Sequence, residues 1–219
     1  MKKIKLVFAI AVCSVAVTEG RAALILVGNH PEPDEQNVLL NNGDTGAVIL
    51  GSTNQTDSHV RFTGEEILVA DASGQAVIES QDGFFTFLRI DLLGDTFRDL
   101  IVNLDLATST GGPPDDGSVT FTTVEVSGGS TVHSPIGIDS SGNNFFTLLA
   151  EPGDSFTSIE IRTTLGVLEA VVQPRISGVA SSAVVIPEAS SIGAWGICAL
   201  LGVIVAYRRR SAFVAYLIL

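Results

Sequence analysis

Lysine disappears from this chain after Lys5. Lys2, Lys3 and Lys5 crowd the N-terminus, and the stretch from residue 23 to residue 185 keeps only Arg61, Arg89, Arg98, Arg162 and Arg175 as cations. Of the 24 acidic residues, all but Glu19 and Glu188 fall in that same stretch, so its net charge is −17, five positive against twenty-two negative. A surface of that sign repels phosphate backbones and anionic headgroups, whose binding depends on cationic side chains displacing counterions. Nucleic acid is thereby excluded as a partner. Cysteine is almost as scarce: Cys13 and Cys198 both lie outside the central stretch, which has neither a disulfide nor a thiol nucleophile. Trp195, Tyr207 and Tyr216 also lie outside it, leaving phenylalanine as its only aromatic side chain. Sugar-stacking platforms are built mainly from Trp and Tyr, so this absence weighs against carbohydrate recognition.

Catalytic signatures are missing as well. His30, His59 and His133 are far apart, with no HExxH or HxH spacing to set two imidazoles on one metal. No Gly-x-Ser-x-Gly elbow, phosphate loop or dinucleotide fingerprint occurs. Carboxylates beside apolar runs, Glu65, Glu66, Glu79, Asp91 and Glu125, are the side chains available for paired acid–base hydrolysis, although a chain this acidic supplies such pairs by chance.

What is present is a periodicity of two. In Leu100-Ile101-Val102-Asn103-Leu104-Asp105-Leu106 the even positions are apolar and the odd ones mostly polar, as in a strand with one face in a core. Residues 85–93, 119–126 and 156–163 read similarly. Turn signals punctuate them at Asp82-Gly83, Gly94-Asp95, residues 111–117, Gly128-Gly129, residues 141–144 and Pro152-Gly153-Asp154. Residues 65–70 and 167–172 are the places where a single helical turn fits. The pattern predicts about ten short strands in an all-β fold, an antiparallel β-sandwich of jelly-roll-like or immunoglobulin-like form. A sequence echo, Phe84-Phe85-Thr86-Phe87-Leu88 leading to Gly94-Asp95-Thr96-Phe97 and Phe145-Phe146-Thr147-Leu148-Leu149 leading to Gly153-Asp154-Ser155-Phe156, reads twice as hairpin chemistry, with Phe97 and Phe156 closing one end of the core.

Both ends carry targeting patterns. A basic start, an apolar stretch over residues 6–17 and small residues at Gly20 and Ala22 predict a signal peptide over residues 1–22, cleaved after Ala22 with Ala23 as the fallback. Cys13 invites a lipoprotein reading, but Val12 precedes it where a small residue is wanted. At the other end, Pro187-Glu188-Ala189 and two serines lead into an apolar run, a transmembrane helix over about residues 191–207, followed by Arg208, Arg209 and Arg210 as a membrane stop. This order resembles the PEP-CTERM sorting signal of Gram-negative bacteria. The resemblance covers residues 186–210. It implies a precursor handled by signal peptidase, held in the inner membrane, and passed to an exosortase-type membrane protease, then placed in the cell envelope or outside the cell. Ala189 stands where the family has a second proline, and residues 211–219 form an apolar extension beyond the family's usual end. A simple C-terminal anchor is the alternative.

Residues 23–185 then form the exported domain. Calcium is the ligand with a physical case, because hard cations take several oxygens and Asp44, Asp115, Asp116 and Asp139 lie in acidic, glycine-containing turns. No other cofactor is expected. The reading is a non-enzymatic envelope or matrix protein with a structural or adhesive part; the alternatives are a carbohydrate-binding module for the cell's own exopolysaccharide and an envelope hydrolase.

Overall fold

The computed structural model describes residues 23–107, 117–140 and 143–181. The signal peptide with Ala22, the loop holding Asp115 and Asp116, the motif Pro187-Glu188-Ala189, the expected transmembrane helix and Arg208, Arg209 and Arg210 lie outside the described residues.

The described residues form fifteen strands and no helix: β1 (Leu24–Val27), β2 (Gln36–Leu40), β3 (Thr45–Thr53), β4 (His59–Asp71), β5 (Val77–Ser80), β6 (Phe87–Leu92), β7 (Asp95–Thr96), β8 (Asp99–Leu106), β9 (Gly117–Glu125), β10 (Ser130–Val132), β11 (Ile136–Ile138), β12 (Asn144–Leu149), β13 (Phe156–Leu165), β14 (Leu168–Ser177) and β15 (Ala180–Ser181). The all-β expectation holds. The excess over ten strands is made of pieces such as β7, β10, β11 and β15, two or three residues each, too short to show an alternation. The two segments read as possible helical turns are strand instead. Leu68 and Ala70 of β4, and Leu168 and Ala170 of β14, are buried at spacing two, and that tertiary demand outweighs local helical preference.

Every pairing among the described residues is antiparallel. The hydrogen-bonded path runs β1-β12-β8-β14-β2-β3-β4-β6-β13-β9-β10, with β11 also on β9 and β5 joining β14 to β4. Towards its two ends the path lies over itself. Phe121 of β9 and Phe146 of β12 share no strand pairing, yet their rings meet at 5.2 Å, tilted by 58°. Both belong to one apolar core with Phe62, Leu88, Leu104 and Ile161. Each such side chain contributes about 1.5–3 kcal/mol by leaving water, and no disulfide adds to it among the described residues. β4 bends in its middle: residues 60–64 pair with β6, and residues 68–71 pair with β5. Gly64 sits at the bend because a Cβ there would lie 2.7 Å from Leu68 Cδ2.

The echoed Gly-Asp segments turn as expected, with positive φ at Gly94 and Gly153, but they do not make hairpins. β6 pairs with β4 and β13, whereas β8 pairs with β12 and β14. β12 pairs with β1 and β8, whereas β13 pairs with β6 and β9. Each Gly-Asp corner therefore carries the chain across the core. The corners meet where expected: Phe97 and Phe156 bridge through backbone hydrogen bonds of 3.2 and 2.7 Å, with ring centroids 5.6 Å apart.

Candidate functional site

β8 is the strand that departs from the simple pattern. Leu100, Val102, Leu104 and Leu106 face the core, but Asp99, Ile101 and Asn103, which alternate with them, are buried too. A second cover is needed for that face, and the β1–β2 connection supplies it. Residues 28–35 cross it as a strap, tied down by its polar groups. Gly28 N donates to Phe145 O at 2.7 Å, Thr147 Oγ1 donates to Gly28 O at 2.9 Å, and His30 N donates to Thr147 Oγ1 at 3.0 Å. On the far side Arg175 pairs with Glu35 at 2.6 Å and donates to Asn29 Oδ1 at 2.7 Å. Ile101 lies in register between Thr147 and Arg175, the two residues that hold the strap.

Where the strap passes the start of β8 it leaves a cleft of about 380 Å³. Glu32 and Asp34 of the strap line it from above, and Arg98, Asp99 and Ser177 line it from the sheet. Asp99 is 1% exposed, and neither of its carboxylate oxygens has a well-formed hydrogen bond. Burial pushes its pKa up to about 6; the hydroxyl and amide of Ser177, its register neighbour, lie near enough to offset part of this by weak hydrogen bonding, and the negative charges of Glu35 and Glu32 add to it. Arg98 is the obvious counter-ion, but its stem packs against Gly178, where a Cβ would lie 2.7 Å from Arg98 Cβ, and it joins none of the ion pairs among the described residues. Sequence reasoning missed this place. Its available signals were three acids interleaved with Pro31 and Pro33, and an aspartate opening the most regular alternation in the chain.

The calcium candidates that fall within the described residues are separated. Asp139 lines an open groove of about 450 Å³ with Glu79, Asp105 and Glu169. Asn144 closes its loop, accepting from Asp139 N at 2.9 Å and donating to Asp139 O at 2.8 Å and Leu104 O at 3.0 Å. The Asp105 carboxyl is shifted up, by burial first and then by Glu169. Asp44 does not line this groove; it accepts from Asn41 Nδ2 at 3.1 Å within the β2–β3 turn. Among the described residues no three His, Cys, Asp or Glu side chains stand close enough to hold a metal as they are.

Of the five carboxylates considered for hydrolysis, Asp91 and Glu65 are engaged by protein partners. Asp91 is buried and held by Arg61 at 2.7 Å and by Arg89 at 3.6 Å, a structural ion pair. Glu65 accepts from the Thr86 amide at 2.7 Å and from the Thr86 hydroxyl. Glu66 and Glu79 are exposed. Glu125 is buried with Oε1 unpartnered, and its pKa is raised by burial, then by Asp154 and Glu151. The histidines have local partners or none: His133 Nε2 lies 3.1 Å from Thr123 Oγ1, His30 Nε2 lies 3.2 Å from Val27 O, and His59 is exposed at the start of β4. Phe84 is the exposed phenylalanine of the described residues, and the Phe87 ring is covered by the Arg162 guanidinium at 4.6 Å. Comparison of the chain with family models, with curated proteins and with solved structures finds no match.

Proposed function

We propose that this chain is an exported cell-envelope or extracellular-matrix protein with a non-enzymatic structural or adhesive part, sorted and processed through its PEP-CTERM-like tail. The observation that carries the reading is the order of charge and apolarity over residues 186–210, which begins a few residues after β15 ends at Ser181. A membrane stop there leaves residues 23–181 on the outer side, because three consecutive guanidinium groups are costly to move through hydrocarbon. We read the all-β part as a β-sandwich, jelly-roll-like or immunoglobulin-like; the two corners at Gly94 and Gly153, which carry the chain across the core, support a two-layered arrangement. Signal peptidase and an exosortase-type protease are the partners this reading requires, with exopolysaccharide as the surrounding material.

The experiment is made in the cell. Replacing Pro187 and Glu188 by alanine, with residues 192–210 kept, is expected to trap full-length protein in the inner membrane while the parent loses its tail and leaves. Equal release of variant and parent, or no release of the parent, overturns processing and reduces the tail to an anchor.

A further inference from the structure

We propose that the cleft beneath the strap binds a divalent cation of the calcium type, with the Asp99 carboxylate as its buried ligand and Glu32 and Asp34 closing over it from the strap. The primary observation is the state of Asp99: a carboxylate buried to 1% exposure, facing a cleft, with neither oxygen in a well-formed hydrogen bond and only Ser177 near enough to donate weakly. Buried carboxylates are ordinarily paired, hydrogen-bonded or metal-bound. Three of the five arginines of the described residues, Arg61, Arg89 and Arg175, are already committed to ion pairs, and Arg162 stacks on Phe87. The fifth, Arg98, lines the same cleft without pairing.

The lining selects the chemistry of the occupant. Its side-chain donors on the acidic side are oxygens, from Asp99, Glu32, Asp34 and Ser177, and it has no histidine or cysteine. That set suits a hard cation rather than zinc or copper. Calcium accepts irregular oxygen shells that include backbone carbonyls, whereas magnesium demands a small octahedron and gives up its water reluctantly. The three carboxylates are not at ligand distance together as they stand. Binding therefore requires the exposed turn at residues 32–34 to move inward, while the Arg175 contacts to Asn29 and Glu35 hold the strap on either side. The groove around Asp105 is the rival site, but Glu79, Asp139 and Glu169 are exposed there, and water already screens them.

The test uses the full chain, purified in detergent and freed of metal with a chelator, titrated calorimetrically with calcium chloride and, separately, magnesium chloride. One saturable calcium site is expected below ~10 mM. Asp99→Asn should weaken it at least about tenfold, while the triple variant Glu79→Gln, Asp105→Asn, Glu169→Gln stays within about twofold of the parent. Melting curves recorded without metal establish that both variants fold. Absence of saturable calcium binding, equal response to magnesium, unchanged binding by Asp99→Asn, or loss of binding in the triple variant each overturns the proposal. None of these outcomes depends on how the tail is processed.

Discussion

Asp99 makes a sharp thermodynamic prediction in the absence of any metal. Its carboxyl titrates near 6 in the folded chain and at 3.8 when solvated. A raised acid pKa means that the folded state holds the proton more tightly than the unfolded state does. The stability this confers is complete below 3.8, falls as pH rises through the interval from 3.8 to about 6, and is gone above it. At 1.36 kcal/mol per pKa unit the full loss is at most on the order of 3 kcal/mol. Part of the loss has already occurred by about pH 4, so about 2 kcal/mol remains between there and about pH 8. Asp99→Asn keeps the shape and removes the titration. Its buried amide carries its own desolvation cost, but that cost does not change with pH. Denaturant unfolding of parent and variant in chelator should therefore show the variant gaining about 2 kcal/mol relative to the parent over that range. The other shifted carboxyls, Asp71, Asp105, Glu125 and Asp154, are common to both proteins and cancel in the comparison. A stability difference that is flat with pH would refute the claim that Asp99 is an uncompensated buried charge.

Edman sequencing of protein recovered from the envelope should begin at Ala23, the residue before β1, and a start at Met1 would remove the export reading. Phe121→Ala, which empties the ring-to-ring contact with Phe146, should cost about 3–5 kcal/mol by chemical denaturation, and a cost below about 1 kcal/mol would deny that the two rings join the halves of the core. Asp91→Ala should cost less, about 1–3 kcal/mol, because Arg61 and Arg89 are about 40% exposed and regain water when their partner is lost; a larger loss would show that they do not.

Alternation was legible wherever a strand has one wet face. β9 follows the period of two without a break, and the expected residues 119–126 fall almost wholly on it. β8 was located correctly, but its second buried face was not foreseen. The polar residues Asp99 and Asn103 signal a solvated side in any reading by periodicity, and only the strap, brought from another part of the chain, reverses that. The Gly-Asp turns were legible because positive φ selects glycine; their partners were not, since a turn fixes the local direction of the chain and leaves open which strand it will pair with. Asp139 was found as an isolated loop acid. Its neighbours Glu79, Asp105 and Glu169 come from three other strands, and no spacing in the sequence marks that meeting.

The strap has a further consequence, for the order in which this protein can assemble. Gly28 and Thr147, the residues whose hydrogen bond fixes one side of it, are 119 positions apart, and among the described residues β1 has no strand partner other than β12. Contacts of such separation demand loop closure before they return any free energy, and chains dominated by them fold in milliseconds to seconds rather than microseconds. A chain emerging from its N-terminus holds β1 unpaired until β12 has followed it, and the face of β8 over Ile101 stays open for the same interval. Closure of this domain is thus a late event in its synthesis, and a chain that delays its closure is one that can still be threaded.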